Sequence, residues 1–285
     1  WNGFKFIDAD GCFLDGDKNI KLFDIADTNP IEDHNTGSVQ SIENGYLSHI
    51  THTRGLSIID AKSIERRNFS IVVDAVNGAA SRALPTMVEA LGCTVHRLYC
   101  EPDGTFPRGA EPLPHNLVDL GGAVLNHNAD AGFATDPDGD RLAIVDEKGN
   151  PLGEEYTLTI CAEGLLKDTS SPTSIVTNLS TTLALDKVAE KYGSKVIRSA
   201  VGEINVVNKM KEVGALLGGG GNGGVILPES HYGRDSLVGA SMFLNRMAQD
   251  NQKVSEIFQA MPQYVLVKDK IELGLVDPQS ALDRI

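Results

Sequence analysis

Phe69-Ser70-Ile71-Val72-Val73-Asp74-Ala75-Val76-Asn77-Gly78 begins the stretch that decides the fold, and Ser81 to Leu91, Gly92 and Thr94 to Tyr99 complete it. Ile71-Val72-Val73-Asp74 reads as a buried strand, Asn77-Gly78 as a turn, Ser81 to Leu91 as a helix stopped by Gly92, and Thr94 to Tyr99 as a second strand. This βα alternation returns after residue 170. Ser174 to Thr177 is a strand, Thr182 to Tyr192 a helix stopped by Gly193, Lys195 to Arg198 a strand and Ile204 to Glu212 a helix. The chain is therefore read as α/β, with consecutive mixed domains that are each a sheet with helices. The boundary is expected at Lys167-Asp168-Thr169-Ser170-Ser171-Pro172, where apolar periodicity gives way to polar residues and a proline. The first 65 or so residues read as a short strand-like piece, a loop rich in Asp, Asn and Gly, and one helix-like stretch from Ile42 to Arg67, with little core of their own.

Composition narrows the function. The 285 residues are 41% hydrophobic and 22% charged, and no apolar run approaches the roughly 18 residues a membrane span needs. A soluble, cytoplasmic protein with no membrane partner is expected. A formal charge of −14 repels a phosphate backbone despite the local Glu65-Arg66-Arg67 cluster, so nucleic acid is not an expected partner. Cys12, Cys93, Cys100 and Cys161 form no CxxC pair; reduced thiols are expected, not a zinc site or a disulfide framework. The sequence opens on Trp1 and closes on Leu282-Asp283-Arg284-Ile285 with neither an initiator Met nor a punctuated end, and is expected to be a piece of a longer protein.

Chemistry concentrates in two segments. In Gly132-Phe133-Ala134-Thr135-Asp136-Pro137-Asp138-Gly139-Asp140-Arg141-Leu142-Ala143-Ile144-Val145, three carboxylates at i, i+2 and i+4 sit between two short apolar strands. Such a loop aims hard oxygens at one centre and suits Mg²⁺ or Ca²⁺. A solvated acidic turn is the plain alternative. Asp136, Asp138, Asp140 and Glu147 also match positions of a calcium-binding EF-hand loop, but Arg141 stands where that loop needs Gly, and a strand follows instead of a helix. Arg141 adds a guanidinium shaped for a phosphate, which turns the reading toward phosphoryl chemistry.

The second segment is Gly218-Gly219-Gly220-Gly221-Asn222-Gly223-Gly224-Val225-Ile226-Leu227-Pro228-Glu229-Ser230-His231-Tyr232-Gly233-Arg234-Asp235. A dinucleotide fingerprint must open a helix, and here a β-branched run and Pro228 follow; no Lys-Ser or Lys-Thr makes a Walker loop. What is left is a loop whose backbone approaches a ligand, or a glycine-rich hairpin with a charged rim.

Together these segments resemble the α-D-phosphohexomutases, the family of phosphoglucomutases, phosphomannomutases and phosphoglucosamine mutases. Asp136-Pro137-Asp138-Gly139-Asp140-Arg141 resembles the family's metal loop, and Gly219 to Gly224 with His231-Tyr232-Gly233-Arg234-Asp235 its sugar loop. Trp1-Asn2-Gly3-Phe4-Lys5 is similar to the stretch after the phosphoserine loop, and Val201-Gly202-Glu203 to a turn of the third domain.

The resemblance implies the end of domain I at 1–67, domain II with the metal loop at 68–169, domain III with the sugar loop at 170–270, and a linker toward a fourth domain at 271–285. The serine would lie just upstream of Trp1. It implies Mg²⁺ held by Asp136, Asp138 and Asp140, a phosphorylated hexose as partner, and a hexose 1,6-bisphosphate intermediate, with phosphoglucosamine favoured over phosphomannose and phosphoglucose; a non-catalytic fragment that binds metal and sugar phosphate is the alternative. Lys5 and Arg141 are the implied catalytic residues, Lys5 as an acid or base if neighbouring cations lower its pKa. Gly219, Gly221, Asn222, Glu229, His231 and Arg234 are the implied substrate-binding residues. Lys5 on a strand edge and His231 in a loop also read as plain surface residues. One departure stands out: Gly220 occupies the place of an expected glutamate, whose hydrogen bond to a sugar hydroxyl contributes about 1.5–3 kcal/mol, unless Glu229 substitutes.

Overall fold

The computed structural model describes residues 4–29 and 37–265, with positions 274, 277 and 280. Trp1-Asn2-Gly3 and most of the expected 271–285 linker lie outside the described residues. Ile7 and Phe13 pair in an isolated antiparallel bridge. Helix α1 (Gly16–Thr28) follows where a loop was expected; the Asp15 carboxylate caps it by accepting the Lys18 N–H at 2.9 Å, and none of its residues is buried. The expected single helix from Ile42 to Arg67 is two, α2 (Tyr46–Arg54) and α3 (Ala61–Arg67). Between them Leu56 and Ile59 turn into the core and Asp60 caps α3. With Ile50 and Ile64 they join the main apolar cluster, so this region has more core than its sequence suggested.

The first sheet and its helices run β1 (Ser70–Asp74), α4 (Ala83–Ala90), β2 (Thr94–Leu98), α5 (Val118–His127), β3 (Ala131–Thr135) and β4 (Leu142–Val145). Its strand order is β2-β1-β3-β4, with β1 parallel to β2 and β3, and β4 antiparallel to β3. The expected helix from Ser81 begins as a 3-10 turn, Ala79–Ser81, before α4. Strand β2 stops one residue early because Tyr99 turns to positive φ.

After α6 (Glu155–Asp168) the plan repeats with β5 (Ser174–Asn178), α7 (Ala184–Lys191), β6 (Lys195–Ser199), α8 (Glu203–Val213), β7 (Leu217–Gly219) and β8 (Val225–Ile226), in the order β6-β5-β7-β8. Helices α9 (Ser236–Asp250) and α10 (Val254–Ala260) close the described chain. No helix among the described residues is long and apolar enough to cross a membrane.

Helices α6 and α9 pack along each other and touch strands of both sheets. One apolar cluster therefore joins Ile71, Val73 and Phe133 to Ile175, Leu217 and Val225, with Phe133 edge-on to Phe243 at 5.9 Å. The outer faces are covered separately. Leu120 and Val124 of α5 lie over Val72 and Val145, and Val206, Val207 and Met210 of α8 over Val176 and Ile226. The β3–β4 and β7–β8 hairpins meet where the Leu142 N–H donates to the Gly223 carbonyl at 2.9 Å and Arg141 bridges Gly224. A Cβ on Gly223 would lie 2.5 Å from the Leu142 oxygen, so this approach requires glycine.

Candidate metal and ligand site

The aspartate loop is the β3–β4 turn. Asp136 Oδ1 accepts the backbone N–H groups of Asp140 and Arg141, both at 3.1 Å, which curls the loop over its first carboxylate. One ligand atom each from Asp136, Asp138 and Asp140 lie within 4.8 Å of one another. Burial, and then repulsion from Asp140 and Asp138, pushes the Asp136 carboxyl up to about 7. Asp140 Oδ1 is buried without a hydrogen-bond partner. A destabilised carboxylate and an orphaned oxygen in an all-oxygen donor set fit a hard divalent cation.

Behind the loop, buried Arg108 donates to Asp74 Oδ2 and to the Thr135 carbonyl, each at 2.6 Å. This ion pair anchors the residue that leads into Asp136. Burial raises the Asp74 pKa although Arg108 opposes it.

Three cations surround the carboxylates. Lys5 Nζ bonds Asp138 and lies 3.4 Å from Asp140. Its pKa is raised, so the condition for an acid or base role, a pKa lowered by neighbouring cations, is not met. Burial pulls it down, but the Asp138 hydrogen bond and the Asp140 and Asp138 charges outweigh that, and the one cation opposing them is Arg234. The same contacts hold Asp138 below the usual carboxylate range, overcoming burial. Arg141 is held by Glu111 Oε2 at 2.5 Å, with Nε 3.3 Å from Asp136. Arg234 joins the two segments: Nη2 donates to Asp140 Oδ2 at 2.6 Å, Nε to Glu203 Oε2 at 2.7 Å.

Lys5, Asp138, Asp140, Glu203, His231 and Arg234 line a cavity of about 360 Å³. A neighbouring cavity of about 230 Å³ is lined by Asn178, Glu203, Gly219, Gly220, Asn222 and Arg234. Gly221 packs so that a Cβ would meet the Ser180 carbonyl at 2.5 Å. Glu229 is elsewhere: its carboxylate accepts the Ser57 N–H at 2.6 Å and the Ser57 hydroxyl at 2.8 Å, so it does not fill the place of the acidic group missing at Gly220.

His231 and His49 both point Nε2 at Asp235 Oδ2, at 2.9 and 2.6 Å. The other Asp235 oxygen caps α9 by accepting the Leu237 and Val238 N–H groups. His231 Nδ1 accepts the Gly233 N–H, and the trio forms a hydrogen-bonded hub whose ligand atoms also lie close enough together to hold a metal ion. Sequence reading missed His49, Asn178, Glu111, Arg108 and Asp74. The strand-end position of Asn178 was a signal within reach. The other contacts span distant parts of the chain.

Two family models match, phosphoglucomutase/phosphomannomutase α/β/α domain II over residues 44–149 and domain III over 153–264. A phosphoglucomutase/phosphomannomutase of Thermococcus kodakarensis is 31% identical over 276 residues, covering 95% of this chain and 59% of that protein. A phosphoglucosamine mutase of Pelobacter propionicus is 31% identical over 280 residues, covering 95% of this chain and 60% of that protein. The chain thus spans less than two thirds of the length of these curated relatives. The crystal structure of a phosphoglucomutase/phosphomannomutase family protein from Burkholderia thailandensis superposes with a TM-score of 0.73 at 26% identity, covering 88% of this chain and 54% of that one.

Proposed function

Because the chain belongs to the α-D-phosphohexomutase family, we propose that it carries the metal-binding and sugar-phosphate-binding parts of an enzyme that moves a phosphoryl group between the 1- and 6-positions of a hexose. The observation that carries this reading is Arg234, which ties the aspartate loop through Asp140 to Glu203 beside the glycine loop. Asp136, Asp138 and Asp140 would hold Mg²⁺, which when bound offsets charge developing during phosphoryl transfer. Lys5, kept protonated by its carboxylate neighbours, supplies an ammonium donor at the mouth of the cavity. Arg141 meets a phosphate by exchanging Glu111, whose side chain is 45% exposed, for a better bidentate acceptor. His231, steered by Asp235, borders the sugar.

We assign phosphoglucosamine as the first substrate, with phosphomannose and phosphoglucose next and the bisphosphorylated sugar as intermediate. The phosphoryl carrier is a separate matter. Among the described residues, the serine tied to the aspartate loop, Ser236, is buried and donates its hydroxyl to the Gly139 carbonyl. Ser236 is thus not placed as the carrier, and we expect the 285-residue chain to bind these ligands without turnover. Titration calorimetry with glucosamine, mannose and glucose 6-phosphates, with Mg²⁺ and with EDTA, tests this. Mg²⁺-dependent binding is expected; no heat with any of the three in saturating Mg²⁺ would end the proposal.

A further inference from the structure

Asn178 ends β5 at the C-terminal edge of a parallel strand, the edge along which open α/β sheets present ligand-binding groups. Its carboxamide has a defined orientation. Oδ1 accepts the Ser180 N–H at 3.1 Å and the Ser180 and Thr181 hydroxyls at 3.0 Å each. A backbone N–H can only donate, so the oxygen belongs at that end and Nδ2 at the other. Among the described residues Nδ2 has no acceptor, and Asn178 lines the 230 Å³ cavity with Gly220, Asn222, Glu203 and Arg234.

The glycine loop explains why the amide stands there. A Cβ on Gly220 would lie 2.9 Å from Asn178 Nδ2 and 3.2 Å from Asn222 Oδ1, and one on Gly221 would meet the Ser180 carbonyl at 2.5 Å. The turn after β5 thus occupies the space into which side chains at 220 and 221 would reach. A side chain at 221 would need the backbone at Ser180 to move, whereas one at 220 would press on the end of the Asn178 amide and displace it from its present place.

We propose that Asn178 contacts ligand and determines specificity, donating from Nδ2 to an oxygen of the sugar in place of an acidic group on the glycine loop. The inference rests on the sugar-phosphate reading above. Its chemical content is a change of sign. A carboxylate accepts from the sugar, whereas this amide nitrogen donates, so the group facing it must accept. A sugar oxygen does so; an ammonium does not.

The test is a nuclear magnetic resonance titration of the nitrogen-15-labelled 285-residue chain in Mg²⁺ with glucose, mannose and glucosamine 6-phosphates. Asn178→Asp identifies the side-chain amide pair by its disappearance, and keeps an oxygen for Ser180 and Thr181. Should that variant misfold, Asn178→Ser makes the same assignment. The Asn178 pair is expected to shift in step with the backbone amides of Gly219 to Gly224. Asn178→Asp, which also sets a carboxylate against a phosphorylated ligand, is expected to bind about tenfold more weakly. The inference falls, with the family-based reading intact, if the loop amides move while the Asn178 pair stays, or if a folded Asn178→Asp binds as the wild type does. If no resonance responds to any of the three sugars, both fall.

Discussion

The two sheets share a strand order and differ in what their hairpins carry. In both, a first strand runs parallel to its two neighbours and the last strand returns antiparallel. The first hairpin turn bears three carboxylates; the second, Gly220 to Gly224, bears four glycines and one asparagine. One turn concentrates charge and needs a counter-ion. The other removes side chains so that backbone and the flanking Asn178, Glu203 and Arg234 can border a cavity. A common scaffold thus presents opposite chemistries, and function lies in the turns more than in the sheets.

The largest disruption of this pairing should come from behind the first hairpin. Arg108→Met leaves Asp74 buried without its partner, and loss of about 3–5 kcal/mol of stability is expected by chemical denaturation. No comparable buried acid–base pair anchors the second hairpin among the described residues.

A smaller effect probes the contact between hairpins. Gly223→Ala, at φ +87° with the Leu142 oxygen in the way, should cost about 1–3 kcal/mol and weaken Mg²⁺ affinity by displacing β4. Gly139→Ala in the first turn also has positive φ, but its nearest obstacle is the Ala80 methyl at 2.9 Å. It should cost less. Equal losses in denaturation would mean that the hairpin contact has no special weight.

A third effect is a pH dependence confined to the first hairpin. Folding raises the Asp136 pKa from 3.8 to about 7, so between those values the folded chain holds a proton that the unfolded chain has released. Without metal, this residue's contribution to stability is present at low pH and declines as pH rises through that window. Mg²⁺ requires the ionised carboxylate, so its stabilisation should grow over the same range. Melting temperatures in EDTA and in Mg²⁺ should diverge by about 2–4 °C for each kcal/mol of metal stabilisation. Asp136→Asn should flatten both curves.

What could be read from sequence follows the range of the interactions involved. The strands at Ile71, Leu142 and Ile175 and the helices ending near Gly92 and Gly193 were legible because burial imposes a local pattern. Helix α1 was not, since none of its residues is buried and its strongest signal is the Asp15 cap. The break between α2 and α3 escaped because Leu56 and Ile59 are apolar and continue the periodicity while the chain turns. The three aspartates were legible because they are neighbours in sequence. Lys5 with Asp138, Arg234 with Asp140 and Ser57 with Glu229 lie 133, 94 and 172 residues apart. No local pattern encodes such pairs, so the condition set for Lys5, a lowered pKa, and the alternative of Glu229 standing in at Gly220 could be decided only by geometry.

Helices α6 and α9, wedged between the sheets, bear on how the molecule comes apart. Because Ile71 and Phe133 share an apolar body with Ile175 and Leu217, neither sheet can melt without exposing the inner face of the other. The pair should behave as one cooperative foldon, with a single calorimetric transition. The two hairpins then keep their relative placement until global unfolding, and the cavity each of them borders is as durable as the interior itself.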